Sequence, residues 1–146
     1  MLKILKYPND FLRKKVKEVE DFKDPRLARL VSDMLKTMET EKGIGLAAPQ
    51  IGSDLRICVA RVDNIPHALI NPQIKSFSRK REIFEEGCLS FPGKFFPVER
   101  SVKVKVKARD LSGKKIKIKA EGLLAPVLQH EIDHLDGVLV INRAVK

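Results

Sequence analysis

The stretch Leu123-Leu124-Ala125-Pro126-Val127-Leu128-Gln129-His130-Glu131-Ile132-Asp133-His134-Leu135-Asp136-Gly137 constrains this chain more than any other. Leu124, Val127, Leu128, Ile132 and Leu135 recur at i, i+3, i+4 and i+8, a rhythm that predicts a buried helix. On that helix His130 and His134 stand one turn apart and point the same way, with Glu131 rotated by about 100° from His130. Two imidazoles so placed can bind one divalent cation, and the adjacent carboxylate can handle the proton of a water on it. A lone histidine on an apolar helix reads as packing; a pair at i, i+4 with Glu after the first is a far narrower pattern. Gly137 follows the last apolar position, where a left-handed residue can end the helix.

At 146 residues the chain is expected to form one domain, residues 1–146, with a single core. Its 43% hydrophobic and 33% charged content describes a folded chain, not a disordered one. No apolar run approaches the length needed to cross a bilayer, so no membrane partner is expected. Met1–Pro8 lacks the long apolar segment and cleavage site of a secretory signal, and a cytoplasmic location is expected. Cys58 and Cys88 make no disulfide framework, so each is core filler or a ligand. The net charge of +10 favours polyanionic surroundings such as a ribosome, or serves solubility alone. No nucleic-acid signature accompanies it, and specific DNA recognition is not expected.

Asn9 or Asp10 can cap a short helix through Phe11, Leu12 and Val16. Asp24-Pro25 opens a stronger one, with the apolar stripe Leu27, Leu30, Val31, Met34, Leu35 and Met38, ended by Gly43. In Gly43–Gly52 the small residues let backbone approach a ligand or a strand closely. Gln50 is the polar exception there, and a buried amide needs partners. Leu55–Val62 reads as a strand with Cys58 as core filler, and His67–Ile70 as a short one. Glu85–Gly93 reads as a loop: glycines flank Cys88 and Pro92-Gly93 signals a turn. Val102–Ala108 and Ile116–Ala120 alternate with lysines around Asp110–Gly113, which predicts a hairpin with one core face and one lysine face. Val138–Ile141 reads as a final strand.

Two histidines leave an open catalytic metal short of its usual third protein ligand. Asp136 is the only acidic residue after His134, and no histidine follows. Upstream, Cys88 is the best candidate, and Cys88, His130 and His134 would leave one position for water.

Gly43–Gln50 (Gly-Ile-Gly-Leu-Ala-Ala-Pro-Gln), Glu86–Ser90 (Glu-Gly-Cys-Leu-Ser) and Gln129–His134 (Gln-His-Glu-Ile-Asp-His) resemble, in order, the three signature motifs of the peptide deformylases. The likeness covers nearly the whole chain. It implies an α+β fold with antiparallel β-strands packed around a central metal-binding helix. It also implies hydrolytic removal of the formyl group from the N-terminal methionine of nascent polypeptides, with N-formylmethionyl peptides as substrates. Carried over residue by residue, it assigns Cys88, His130 and His134 to the metal and Glu131 to acid–base work. Gln50 and the backbone N–H of Leu89 would stabilise the oxyanion. Backbone around Ile44–Gly45 and Gly87 would hold the peptide, and Ile44, Phe84, Leu123, Pro126 and Val127 would line the methionine pocket. The family typically uses Fe2+; Zn2+, Ni2+ or Co2+ can occupy the same ligands. Asp133 either pairs with Arg100 in support of the ligands or is an ordinary surface charge.

Two departures stand out. Pro126 falls four residues before His130, so the helix either begins near Leu124 or is locally loosened. The sequence also stops at Lys146, where many bacterial members carry a further helix used in ribosome docking; the lysine-rich hairpin could substitute. Two rival readings are a zinc peptidase, which shares His-Glu-x-x-His, and a basic ribosome-associated protein with a structural zinc. The second needs a fourth ligand that neither Cys58 nor His67 readily supplies.

Overall fold

A computed structural model describes residues 2–146. Five antiparallel strands form the main sheet in the order β1-β2-β3-β6-β7, comprising Gly45–Ala47, Ile57–Val62, Ile65–Phe77, Lys103–Arg109 and Lys115–Glu121. Strands β4 (Arg81–Cys88) and β5 (Phe91–Ser101) form a separate two-stranded sheet. The helices are α1 (Pro25–Thr40), α2 (Leu124–Leu135) and a single turn, α3 (Val140–Arg143). This is the α+β architecture expected, with α2 at its centre. No helix among the described residues is long and apolar enough to cross a membrane.

Period-2 alternation turns Ala47, Cys58, Ala60, Leu69, Val104, Val106, Ala108 and Ala120 to one face of the sheet, where they pack on Ala125, Leu128, Ile132 and Leu135 of α2. The opposite face of β1–β3 presents Leu46, Ile57, Val59 and Ile70 to Leu27, Val31, Met34 and Met38 of α1. Leu12, Phe91, Val98, Leu139 and Val140 form a third cluster, which fixes the β4–β5 sheet to the C-terminal segment.

Helix α2 starts at Leu124, so Pro126 lies in the first turn, where its missing N–H has no intrahelical partner to lose. Gly137 follows at φ 75°, and a Cβ there would meet the Arg13 carbonyl at 2.6 Å. Asp24 caps α1 by accepting from the Arg26 N–H at 2.9 Å.

Four local expectations differ from the structure. The first helix is one 3-10 turn, Asp10–Arg13, capped by Asn9, with Val16 outside it. Helix α1 ends at Thr40, and the left-handed residue is Lys42 (φ 58°), not Gly43. Glu85–Gly93 is not a loop: Cys88 ends β4 and Phe91 begins β5. Gly87 pairs with Phe95 while Cys88 pairs with Phe91, so the irregularity is a bulge at Pro92–Lys94. Val138–Ile141 is no strand, because the Asn142 side chain accepts from the Leu139 N–H at 2.9 Å and starts α3 instead.

Candidate metal centre

Two elements deliver the metal ligands. Helix α2 brings His130 and His134, 6% and 1% exposed, to the side facing the end of β4. The end of β4 brings Cys88, whose Sγ lies 3.4 Å from His134 Nε2. One ligand atom each from Cys88, His130 and His134 lies within 4.8 Å of the others. A thiolate and two imidazoles suit Zn2+, Fe2+, Ni2+ or Co2+, and three protein donors leave a further position open. The set therefore fits the metal that the sequence implies.

The histidine rings are set by their surroundings. His130 Nδ1 lies 2.8 Å from Glu86 Oε1, which leaves Nε2 for a ligand. Glu86 is gripped at two points by Arg100, Nε to Oε2 at 2.9 Å and Nη2 to Oε1 at 3.0 Å. Burial would raise the Glu86 carboxyl, but its bonds from Arg100 and then His130 prevail and hold it below the usual range. Burial, helped by His130 and Arg100, holds His134 well below the ordinary imidazole range, neutral as ligation requires. At His130 burial pulls the same way, but Glu131, Cys88 and Glu86 outweigh it and the ring lies well above that range.

Glu131 is 4% exposed, with Oε2 4.0 Å from His130 Nε2 and, among the described residues, no hydrogen-bond partner for Oε1. Burial, against the pull of His130, pushes its carboxyl up to about 7, the range suited to a proton carrier near neutral pH. A side chain at Gly45 would fall on this carboxylate and displace it, so glycine here lets Glu131 keep its position. Gln50, 1% exposed, accepts the Ala47 N–H through Oε1 at 2.9 Å. That anchors its amide with Nε2 3.1 Å from Ser90 Oγ and 3.6 Å from Cys88 Sγ.

These groups floor a cleft of about 580 Å³. Ile44, Gly45 and Gln50 line one wall, Phe84, Gly87, Cys88 and Leu89 another, and Leu123, Pro126, Val127, His130 and Glu131 the α2 side. His134 lies beneath the lining. Every residue singled out from the sequence thus gathers at one place. Glu86 and Ser90 entered only as the ends of a motif, with no role given to either, and Phe95 was not singled out. Glu86 and Ser90 flank Cys88 at two residues on either side, a symmetric polar spacing that could have drawn attention. Phe95 packs on Gly87 across the strand pair, which no local pattern reveals. Asp133 does pair with Arg100, at 2.6 Å.

A family model described as polypeptide deformylase matches residues 1–146. The peptide deformylase of Dictyoglomus thermophilum is 47% identical over 143 residues, covering 98% of this chain and 92% of that protein. The crystal structure of peptide deformylase from Thermotoga maritima superposes with a TM-score of 0.97 at 43% identity, over 100% of this chain and 99% of that one. For a peptide deformylase from Legionella pneumophila the values are 0.94 and 47%, over 99% and 86%.

Proposed function

The chain belongs to the peptide deformylase family and removes the N-formyl group from nascent chains, and we propose that Cys88, His130, His134, Glu131, Gln50 and Leu89 do this work in it. The observation that carries the proposal is the meeting of a thiol, two imidazoles and a raised carboxyl under one cleft. A single divalent metal, Fe2+ by family habit, would be held by Cys88 Sγ and the two histidines; when bound it supplies Lewis acidity to water and to the formyl oxygen.

The protein's own groups account for the rest. Glu131 takes the proton of the attacking water and returns it to the leaving amine nitrogen. As the carbonyl becomes tetrahedral, Gln50 Nε2 and the Leu89 N–H donate to its oxyanion. Backbone at Ile44–Gly45 and Gly87 holds the extended peptide. Ile44, Phe84, Leu123, Pro126 and Val127, which line the cleft, take the methionine side chain. Ribosome association, through the lysine face of the β6–β7 hairpin, is the partner reading that the net charge of +10 supports.

Anaerobic purification, metal analysis and parallel assays on formyl-Met and unformylated peptides test this. We expect bound divalent metal and turnover of the formylated peptide only. Cleavage of unformylated peptide bonds would instead favour a peptidase.

A further inference from the structure

Behind the ligands, on the far side of α2, runs a chain of alternating charges. Arg143 on α3 donates to Asp133 twice, Nη2 to Oδ1 at 3.1 Å and Nε to Oδ2 at 3.2 Å. Asp133 Oδ2 also accepts from Arg100 Nη1 at 2.6 Å. Arg100 in turn grips Glu86 at two points, and Glu86 Oε1 meets His130 Nδ1 at 2.8 Å. Asp133, Arg100 and Glu86 are largely or wholly out of solvent; the Arg143 side chain is half exposed.

Two features show what Arg143 is for. Charge balance is the first. Arg100 lies between two low-solvent carboxylates, and one guanidinium cannot neutralise both. His130 faces Glu86, and Arg143 is the second cation on the Asp133 side of the group. The second is that α3 is held without it: Leu139 and Val140 are buried in the third core, and Val145 N donates to the Pro97 carbonyl at 2.8 Å. The ion pair is therefore free to act on Asp133 instead of anchoring the segment.

We propose that Arg143 is a positioning residue for the metal ligand His130, acting through Asp133, Arg100 and Glu86. By occupying Asp133 at two points it stops that carboxylate from drawing Arg100 away from Glu86. Arg100 then keeps its two-point hold, and Glu86 keeps one orientation of the His130 ring. This rests on His130 being a ligand.

The test uses the full-length protein loaded with Co2+, whose visible absorption reports ligand geometry. Losing a group that directly orients a metal ligand typically costs about 10–100-fold in metal affinity. Arg143 acts two links further out, so Arg143→Gln should release Co2+ to a chelator about 3–5-fold faster and shift the visible bands, scaled down from that range. Arg143→Lys, with charge but no fork, should recover part of the effect. The control is Arg56→Gln, which breaks the Arg56–Asp136 pair (2.9 Å) at the end of the same helix but has no link to Glu86. Wild-type release and spectrum in Arg143→Gln overturn the proposal, as does equal acceleration in Arg56→Gln, which would mean general loosening of α2. Failure of the wild-type protein to bind Co2+ would instead remove His130 from the ligand set.

Discussion

Gln50 shows how little freedom a functional side chain is given. Its carbonyl is held by the Ala47 N–H and its amide nitrogen is aimed between Ser90 and Cys88, so in the role proposed for it Gln50 would meet a developing oxyanion without first reorganising. Removing one such donor costs about 10²–10³-fold in kcat. Gln50→Ala should therefore fold and keep its metal yet lose turnover by about that factor, as measured by steady-state kinetics beside metal analysis; unchanged kcat would remove Gln50 from the oxyanion site. The two cysteines make a contrasting pair. Cys58 is fully buried in the sheet, and burial drives its thiol far above the ordinary range. In the folded protein at pH 8 it should resist iodoacetamide for as long as the fold survives, and react on denaturation. Mass mapping of the alkylated site checks this. Cys88, His130, His134 and Glu131 could be read from sequence because their chemistry sits in short motifs. The Arg100–Glu86 pair could not, because it depends on the β4–β5 register: Glu86 lies opposite Phe96, and Arg100 is four residues further along the same face.

The same distinction holds among elements. Helices α1 and α2 and the β6–β7 hairpin were legible because one face of each is continuously apolar. Strands β4 and β5 were not: β4 is mostly exposed, with Ile83 turned to solvent, and β5 leaves Phe95 outside, so neither alternates cleanly. Once α2 forms, its position is set partly by Gln129, which imitates a strand neighbour. Its Nε2 donates to the Ser101 carbonyl at 2.8 Å, and its Oε1 accepts the Ser101 N–H at 3.2 Å. Replacing it with leucine would strand both buried backbone groups, at a cost on the order of 3 kcal/mol. For a domain of this size that is about 6–12 °C in Tm. Gln129→Leu should show that fall by calorimetry, and a change under about 2 °C would mean that water or another group replaces the amide.

At the scale of the whole molecule the unusual feature is where the charge lies. Lys105 stands opposite Lys119, and Lys107 opposite Lys117. Like charges directly opposite are destabilising, each pair by roughly 0.2–1 kcal/mol. Lysines on β7, an edge strand, are explained by protection against edge-to-edge pairing. Those on β6 are not, because β6 lies between β3 and β7. If the lysine face meets ribosomal phosphates, stability and binding must oppose each other at these positions. Lys107→Glu would turn a repulsive pair into an attractive one, raising Tm by about 1–4 °C at low salt and less at 0.5 M salt, where exposed charges are screened. The same change should lower ribosome pelleting. Wild-type pelleting with a raised Tm would assign these lysines to solubility alone and leave ribosome docking to another surface.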